Sequence, residues 1–323
     1  MHDVITIGSA LVDIFITSKQ FVLKPTSKGT MICQAYGEKI DVEGLKLFTG
    51  GGGSNSAIGF SRAGFSVATV TETGKDALAE LLLSDFHSAH VSTNYIAQER
   101  QEETGGSVIL LGEDGGRTIM VHRGASSMLD PHDIPMRALK KTDWIHLSSI
   151  SGRINTIKII GAAIKEGKAK CSWNPGRAEI ELLVTGKLDI SELPCDVLIV
   201  NLVEWKLLRT AQAKLRKAIT EIIVTDGENG GKLYLHTKPR PISFKSGGVV
   251  AVDATGAGDA FAVGYVTARI TGNTPLGAVE WGVKNASSVV QSLGAKSGLL
   301  TREELATKKP EKPKKYLSYP NTK

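Results

Sequence analysis

Short apolar runs alternate along the chain with longer segments whose apolar residues recur at helical spacing. The runs typical of buried strands are Val4–Ile7, Val67–Val70, Trp144–Leu147, Cys171–Trp173, Val197–Val200 and Ile222–Val224. The segments with helical spacing are Ala77–Phe86, Ile154–Ile164 and Glu204–Ile219. Strands that alternate with helices are typical of βαβ units. The pattern therefore predicts an α/β fold with a doubly wound, mostly parallel sheet and helices on both faces.

Two regions interrupt this alternation. Residues 14–48 contain polar and glycine-bearing segments without a helical pattern. Residues 104–123 alternate around Glu113–Gly116, whose acidic and glycine residues are typical of a hairpin turn. Hairpins beside a parallel sheet predict a small β lid over one end of it.

The net charge of +6 is concentrated at one end of the chain. Residues 308–323 contain six lysines and one glutamate, so they carry nearly all of it. Because nucleic-acid binders place basic residues on a folded surface, we expect no nucleic-acid partner. The Lys/Pro composition predicts a disordered tail at 308–323 that follows an α/β domain at 1–307.

Cysteine usage and hydropathy exclude several further classes. The three cysteines form no CxxC pair, so neither a disulfide framework nor a zinc site is predicted. The first residues do not resemble a signal peptide, and no apolar run approaches the roughly 20 residues of a membrane span. We expect a cytoplasmic protein without a membrane partner.

Four consecutive glycines, Gly50–Gly53, precede a helical pattern at Ala57–Arg62. Glycines at a helix start let the backbone approach a ligand closely. The amide of Asn55 can both donate to and accept from a ligand hydroxyl. The alternative is a flexible loop capped by Asn55.

A second glycine-rich segment, Asp253–Asp259, precedes the apolar helical pattern Ala260–Ile270. A helix start presents unpaired N–H groups and a positive dipole end, which suit an anion. The carboxylate of Asp259 can accept a proton there, so the segment could serve phosphoryl transfer. The alternative is that Asp259 only caps the helix.

Other nucleotide motifs fit the sequence less well. Gly294–Ser297 lacks the Gly-Lys step of a P-loop, and Gly8–Asp13 lacks two glycines of the dinucleotide motif. The motifs GxSxG and HExxH are absent, so hydrolase and zinc-protease classes are not favoured.

The two glycine-rich segments resemble the signatures of the PfkB/ribokinase family of carbohydrate kinases, and the resemblance extends to about residue 300. The N-terminal match runs through Gly51, Gly53, Asn55, Ala57, Gly64 and Gly74. The C-terminal match is Asp253–Asp259, with Ala254 in place of the usual Thr. The resemblance implies ATP-dependent phosphorylation of a sugar hydroxyl, with Mg²⁺ as cofactor. It places the lid at about 14–40 and 95–123.

The resemblance also implies roles for individual residues. Asp259 would be the catalytic base, and Gly256, Ala257 and Gly258 would form an anion hole for the transferred phosphoryl group. The implied sugar ligands are Asp13, Gly51, Gly52, Asn55 and Arg123. The implied nucleotide contacts are Asn201, Glu204, Thr225, Gly227, Gly230, Asn285 and Gly294. Glu204 would hold Mg²⁺ through water, and Asp253 and Thr255 would hold a monovalent cation such as K⁺.

The substrate and the assembly remain open at this point. A nucleoside kinase of the same fold would need aromatic side chains to stack on a base. The lid regions offer Phe15, Phe21, Tyr36 and Tyr95 at a low aromatic content of 6%, which favours a sugar. A binding protein without catalysis is a third alternative, and the intact Asp259 motif argues against it. Exposed lid edges, together with the resemblance, lead us to expect a homodimer that pairs through the lids.

Overall fold

Fifteen strands and ten α-helices lie in the described residues of the computed structural model, which are 1–27, 29–112 and 116–307. The strands are β1 Val4–Ile7, β2 Leu11–Thr17, β3 Val22–Thr26, β4 Gly29–Cys33, β5 Gly44–Gly50, β6 Val67–Thr73, β7 Ser92–Gln98, β8 Gly106–Leu111, β9 Arg117–His122, β10 Trp144–Leu147, β11 Lys170–Trp173, β12 Val197–Asn201, β13 Glu221–Thr225, β14 Gly231–Leu235 and β15 Ile242–Phe244. The helices are α1 Gly52–Arg62, α2 Ala77–Ser88, α3 Met136–Leu139, α4 Ile154–Glu166, α5 Arg177–Val184, α6 Leu202–Leu207, α7 Gln212–Ala218, α8 Ala257–Ile270, α9 Pro275–Val289 and α10 Arg302–Ala306.

The main sheet has nine strands in the order β15-β14-β13-β12-β11-β10-β1-β6-β7. Its seven strands from β13 to β7 are parallel, and β14 and β15 are antiparallel additions at one edge. From β1 the chain first adds β6 and β7 on one side and then crosses to β10 on the other. Ligands of such sheets bind beyond the carboxyl ends of the strands where the direction reverses. Here that point lies between β1 and β10.

Helices cover both faces of the main sheet, as the sequence pattern predicts. Side chains of α4, α5, α6 and α7 pack in one apolar cluster, and those of α1, α2, α8 and α9 pack in the other. All residues of β1 and β10 are buried because they lie between these two layers. Strands buried on both faces appear as continuous apolar runs, and this is why the sequence pattern located them.

The lid is a second sheet with the order β5-β2-β8-β9. The side chains of the lid sheet divide between two faces. The register of β2 with β5, of β2 with β8 and of β8 with β9 shows which residues share a face. One face carries Asp13, Phe15, Phe48, Ser107 and Ile109. The opposite face, here called the outer lid face, is apolar: Ile14, Ile16, Leu45, Leu47, Val108, Leu110 and Met120. Leu45, Leu47 and Met120 are 58%, 46% and 52% exposed.

The lid boundaries differ from the prediction. Residues 95–98 belong to β7, which pairs with β6 in the main sheet, and the lid includes β5 beyond residue 40. The error has a physical cause: β7 is an edge strand with polar residues, so its pattern resembles that of an exposed lid strand. The predicted hairpin turn has its tip, 113–115, outside the described residues, but Leu111 and Arg117 pair in antiparallel register. The predicted tail, 308–323, lies wholly outside them.

Two helix predictions were also wrong in their bounds. α1 begins at Gly52, five residues before the predicted start, because its first turn is formed by glycines and small polar residues that carry no helical pattern. The predicted helix over 204–219 is divided by a 3₁₀ turn at Leu208–Thr210. Gln212 donates a hydrogen bond of 2.7 Å to the carbonyl of Trp205, and this satisfies a group released by the break. Within the described residues no helix combines the length and apolar character needed to cross a membrane.

Candidate active site

The first part of the site lies where β1 and β10 end. Gly8 follows β1, and Ser148 follows β10 and donates its backbone N–H to the carbonyl of Ile7 over 2.8 Å. The four glycines Gly50–Gly53, here called the glycine loop, lead into α1 and lie against Gly8 and Ser148. A Cβ added to Gly52 would lie 2.8 Å from Ser148 Oγ and 3.4 Å from Asp259 Oδ1. Only a glycine permits this approach, so the loop, the serine hydroxyl and the Asp259 carboxylate converge on one point.

Asp259 lies in the first turn of α8 and contacts the glycine loop. Asn55 Nδ2 donates a hydrogen bond of 2.8 Å to Asp259 Oδ2, although 204 residues separate the two in sequence. Burial raises the pKa of Asp259 above its ordinary value, while the Asn55 hydrogen bond and the positive charge of Lys296 act in the opposite direction. A partly buried carboxylate with few hydrogen-bond donors is a stronger proton acceptor than one in water.

The start of α8 has the geometry of an anion site. Gly256, with φ 74°, precedes the helix, and within the described residues no side chain caps its first turn. Left-handed backbone favours glycine, and a Cβ at Gly256 would also overlap Ala295. At Gly258 the space for a Cβ is open. The start of α8 beside Asp259 therefore carries the positive end of the helix dipole, although one of its amides, that of Ala257, donates to the Ala254 carbonyl over 3.3 Å.

Asp13 projects from the lid toward the same region. Its Oδ1 accepts a hydrogen bond from Ser107 Oγ in the adjacent strand β8. A Cβ at Gly50 would lie 2.5 Å from its Oδ2, so Asp13 contacts the start of the glycine loop. Burial raises its pKa, and the Ser107 hydrogen bond lowers it. Asp13, Asn55, Ser148 and Asp259 thus supply polar groups from lid and body around one space.

Asn201 and Thr225 lie side by side at the carboxyl ends of β12 and β13, where they are register partners. Asn201 Oδ1 accepts from the backbone N–H of Glu204 over 2.9 Å, and Glu204 Oε2 accepts from that of Asn201 over 2.8 Å. The two residues therefore form a capping box at the start of α6. Gly227 and Gly230 shape the turn after β13, with φ of 52° and 86°.

Glu204 is partly exposed, and burial raises its pKa. Among the described residues no three acidic, histidine or cysteine side chains are grouped so as to hold a metal ion. This donor set fits a hydrated Mg²⁺, which retains most of its waters and is bound by one or two carboxylates together with substrate phosphates. One partly exposed carboxylate at the carboxyl ends of the strands meets that requirement.

Asp253 does not fit a monovalent cation, contrary to the sequence-based expectation for Asp253 and Thr255. Arg117 of the lid donates from Nη1 to Asp253 Oδ1 over 2.8 Å and lies 3.3 Å from Thr255 Oγ1. The same Oδ1 accepts from the backbone and hydroxyl of Thr255, and Oδ2 accepts from Gly294 N. The carboxylate is already satisfied and neutralised. Although burial alone would raise its pKa, the hydrogen bonds from Thr255 and Gly294 and the charge of Arg117 lower it.

Asn285 and Arg123, which the sequence also placed in the site, lie apart from these groups, whereas Gly294 lies beside Asp253. Asn285 is fully buried, and its amide donates to the Ala260 carbonyl and accepts from Leu300 N. Its side chain ties α9 to α8, so it is not placed to contact a nucleotide. Arg123 is exposed at the start of a short 3₁₀ helix, and its carbonyl accepts from Ser126 Oγ. Gly294, with φ 81°, packs against Phe48 of the lid.

Sequence reasoning missed Ser148, Ser107, Arg117 and Lys296. Ser148 follows a predicted strand directly, and that position was a usable signal, since ligands meet the carboxyl ends of parallel strands. Ser107 and Arg117 carried no signal, because their partners lie 94 and 136 residues away in sequence. Lys296 was considered only as part of an incomplete P-loop.

The model of the family described as "pfkB family carbohydrate kinase" matches residues 1–302. The chain belongs to this family. The match confirms the predicted family and the predicted class of enzyme, an ATP-dependent carbohydrate kinase. The kinase is similar to a ribokinase of Staphylococcus aureus (strain COL), with 28% identity over 94% of this chain and 98% of the relative. It is also similar to a deoxyribokinase of Salmonella typhi, with 27% identity over 80% of this chain and 83% of the relative.

Solved structures confirm the predicted ribokinase-like fold of the kinase. The crystal structure of a ribokinase from Thermotoga maritima superposes with a TM-score of 0.75 over 94% of this chain and 98% of that one. The identity between the two sequences is 23%, so this likeness concerns the fold alone.

Proposed function

We propose that this kinase transfers the γ-phosphoryl group of ATP to a hydroxyl group of a small sugar of the ribose type, with Asp259 as general base. The observation that carries the proposal is the contact of Asp259 with the glycine loop through Asn55. It brings the carboxylate, at the start of α8, to the same glycine of the loop as Ser148, while Asp13 lies against the first glycine of that loop. A proton acceptor, an anion site and hydroxyl ligands therefore share one space.

In the proposed reaction, the sugar hydroxyl gives its proton to the Asp259 carboxylate as its oxygen attacks the γ-phosphorus. The bond between that phosphorus and the bridging oxygen breaks, and its electron pair leaves with ADP. The amides of Gly256, Ala257 and Gly258 stabilise the negative charge on the transferred group. Mg²⁺, held through water by Glu204, would neutralise part of the phosphate charge. Asn201, Thr225 and the turn at Gly227 and Gly230 would hold the rest of the nucleotide.

The shape of the site favours a sugar over a nucleoside. Of the four aromatic residues that the sequence offered for stacking on a base, Phe15 is buried against Phe48, Phe21 is buried, and Tyr95 packs beside His2 in the main sheet. Tyr36 is fully exposed. A nucleoside base would need an exposed aromatic face to stack on, whereas Phe15 and Phe21 are buried and Tyr95 lies outside the lid. Pentose kinases among the named relatives support a ribose-type substrate.

The test is a substrate panel measured by coupled ADP release, with pentoses, hexoses and nucleosides at matched concentrations. We expect turnover with at least one pentose at a kcat/KM that exceeds that of every nucleoside by tenfold or more. The Asp259→Asn variant serves as the control for contaminating kinases. Nucleoside turnover that outruns every sugar would replace the sugar proposal with the nucleoside alternative. No turnover of any panel member, with ATP binding intact, would favour a binding protein.

A further inference from the structure

A buried lysine, Lys296, lies beneath the glycine loop. It belongs to neither of the two glycine-rich signature segments. Lys296 follows α9 and is only 12% exposed at its side chain. Its Nζ donates to Thr49 Oγ1 and Ser54 Oγ, both over 2.7 Å, and to Asp85 Oδ2 over 2.8 Å. Each of the three protons of the ammonium group therefore has an acceptor.

The three acceptors join three elements. Thr49 is the penultimate residue of the lid strand β5 and also donates to Asp85, which lies on α2. Ser54 lies in the first turn of α1 and is fully buried. Because Thr49 and Ser54 flank Gly50–Gly53, the ammonium group holds both ends of the glycine loop. A buried hydrogen-bonded network of this kind fixes the position of the backbone that it joins.

The two loop residues that Lys296 contacts are the chain neighbours of residues that touch Asp13 and Asp259. Thr49 precedes Gly50, which lies against Asp13, and Ser54 precedes Asn55, which donates to Asp259. Movement of the loop would therefore displace the groups that contact Asp13 and Asp259. A shift of about 1 Å at such groups can lower a rate by a factor of about 100.

Lys296 is a single positive charge near three carboxylates. Burial lowers its pKa, and the negative charges of Asp85, Asp13 and Asp259 act in the opposite direction. In turn, burial raises the pKa values of Asp13 and Asp259, and the charge of Lys296 opposes that rise at both groups. Asp253 faces Asp13 as a further acid, but Arg117 neutralises it directly. One lysine thus serves three carboxylates, of which only Asp85 is in direct contact with it.

We propose that Lys296 is a positioning residue of the active site, whose ammonium group fixes the glycine loop and supplies the positive charge that keeps Asp259 in its proton-accepting form. This inference rests on the proposed role of Asp259 as base. It assigns Lys296 no contact with the sugar or with ATP. A lysine that only stabilised the fold would need none of this proximity to Asp13 and Asp259.

The experiment compares pH profiles of kcat/KM for the full-length enzyme and three variants. Lys296→Met removes charge and hydrogen bonds at similar volume, and Lys296→Arg keeps the charge. Lys284→Met is the matched control, since Lys284 also bonds three acceptors, in Glu304 and Thr307, but holds the end of the described chain. Sugar Kd by calorimetry and Tm are measured in parallel.

Loss of the positive charge leaves Asp259 protonated up to a higher pH. We therefore expect the acid limb of the Lys296→Met profile to move upward by about one pH unit, and the sugar Kd to rise about tenfold. Lys296→Arg should restore the limb, and Lys284→Met should leave it in place. A Lys296→Met enzyme with a lower Tm but an unshifted limb and normal sugar Kd would overturn the proposal.

Lys296→Met leaves Asp85, whose side chain is 34% exposed, without its cation, and this can destabilise the fold. The double variant Lys296→Met with Asp85→Asn removes both charges together and keeps the test possible, with the same expected shift of the limb. Failure of the base assignment is distinguishable, because Asp259→Asn would then retain near-normal turnover. An inactive Asp259→Asn enzyme combined with an unshifted limb in the double variant would overturn the role of Lys296 alone.

Discussion

The main sheet and the lid use the same backbone hydrogen bonding but differ in what covers them. Every residue of β1 and β10 is buried between two layers of helices, whereas every residue of β9 in the lid is exposed. The body therefore holds Asp259, Asn55 and Ser148 in a packed frame. The lid brings Asp13 and Arg117 on strands that have one free face. Under the proposed function, the groups for the chemistry lie in the packed body, whereas sugar binding depends in part on the more exposed lid.

The sharpest test of this division is Asp259→Asn, a change in the body. Asparagine keeps the size and the contact with Asn55 but has no basic oxygen. We expect kcat to fall by about 10²–10⁴, the usual contribution of a general base, with little change in sugar Kd. The measurement is coupled ADP release together with calorimetry. Asparagine caps helices as well as aspartate does, so a variant with near-normal kcat would show that Asp259 is only a cap.

A second change tests the free face of the lid. We expect the enzyme to form a homodimer through the outer lid face, because exposed Leu45, Leu47 and Met120 form an apolar surface that a second copy can cover. Leu47→Lys should weaken dimerisation by about 100-fold, since a charge would be buried in the interface. The masses are measured by light scattering at micromolar concentration. Leu276→Lys, on the 49% exposed Leu276 of the body helix α9, is the control. A monomeric unmodified enzyme would contradict the expectation.

Asp13→Asn tests the binding role of the lid. A carboxylate accepts hydrogen bonds from two sugar hydroxyls more strongly than an amide does, by about 1.5–3 kcal/mol for a charged partner. We expect the sugar Kd to rise about 10- to 100-fold, while the ATP Kd stays within twofold. Both are measured by calorimetry. If ATP binding weakens as much as sugar binding does, the lid and the nucleotide site are not separable in the way proposed.

Arg117→Ala breaks the ion pair between the lid and the loop before α8. Since Arg117 is 37% exposed at its side chain, we expect a fall in kcat/KM of only about two- to fivefold, the effect of up to about 1 kcal/mol. Amide exchange in residues 106–112 and 116–122 should become faster. Arg100→Ala, at an exposed residue outside the ion pair, is the control. Because Arg117 already neutralises Asp253, turnover of the unmodified enzyme should not depend on K⁺, and strong activation by K⁺ would contradict this view.

The smallest effect on activity is expected for Glu72→Gln in β6. Glu72 is buried in the main sheet, so ionisation of its carboxyl group destabilises the folded state, which would not happen on an exposed lid strand. Burial raises the pKa of Glu72 to about 8, with further contributions from Glu99 and Asp133 and an opposing one from Arg153. A raised pKa means that stability is full below about pH 4.5 and is lost as pH rises through 8. Glutamine mimics the protonated form. The variant should therefore unfold a few degrees higher than the unmodified enzyme at pH 9, and the difference should vanish toward pH 5.

The control for that change is Glu38→Gln, on an exposed glutamate. Thermal unfolding is followed by circular dichroism across the pH range, and kcat is measured at each pH. A pH-independent difference in Tm would mean that Glu72 stabilises by shape or hydrogen bonding and not through its proton.

Sequence patterns predicted most of the main sheet because β1, β10, β12 and β13 lie between two apolar layers and show it as continuous apolar runs. They failed at the margins for identifiable reasons. β7 is a polar edge strand, the first turn of α1 is made of glycines, and the break at Leu208–Thr210 has no proline or glycine to mark it. The two glycine-rich motifs marked two loops that the structure brings into contact, because glycine is required where a backbone approaches another group closely.

The sequence by itself determined the family, the alternation of strands and helices and the two glycine-rich loops of the candidate site, since each is encoded in residues close together in the chain. Only the tertiary structure decided which distant groups face those loops. Ser107 reaches Asp13 across the lid, Arg117 reaches Asp253 from it, and Lys296 lies under the glycine loop. It also decided that Asn285 is a buried link between helices. Such pairings depend on how layers pack and on which charges lose their water, and neither property has a local pattern in the chain.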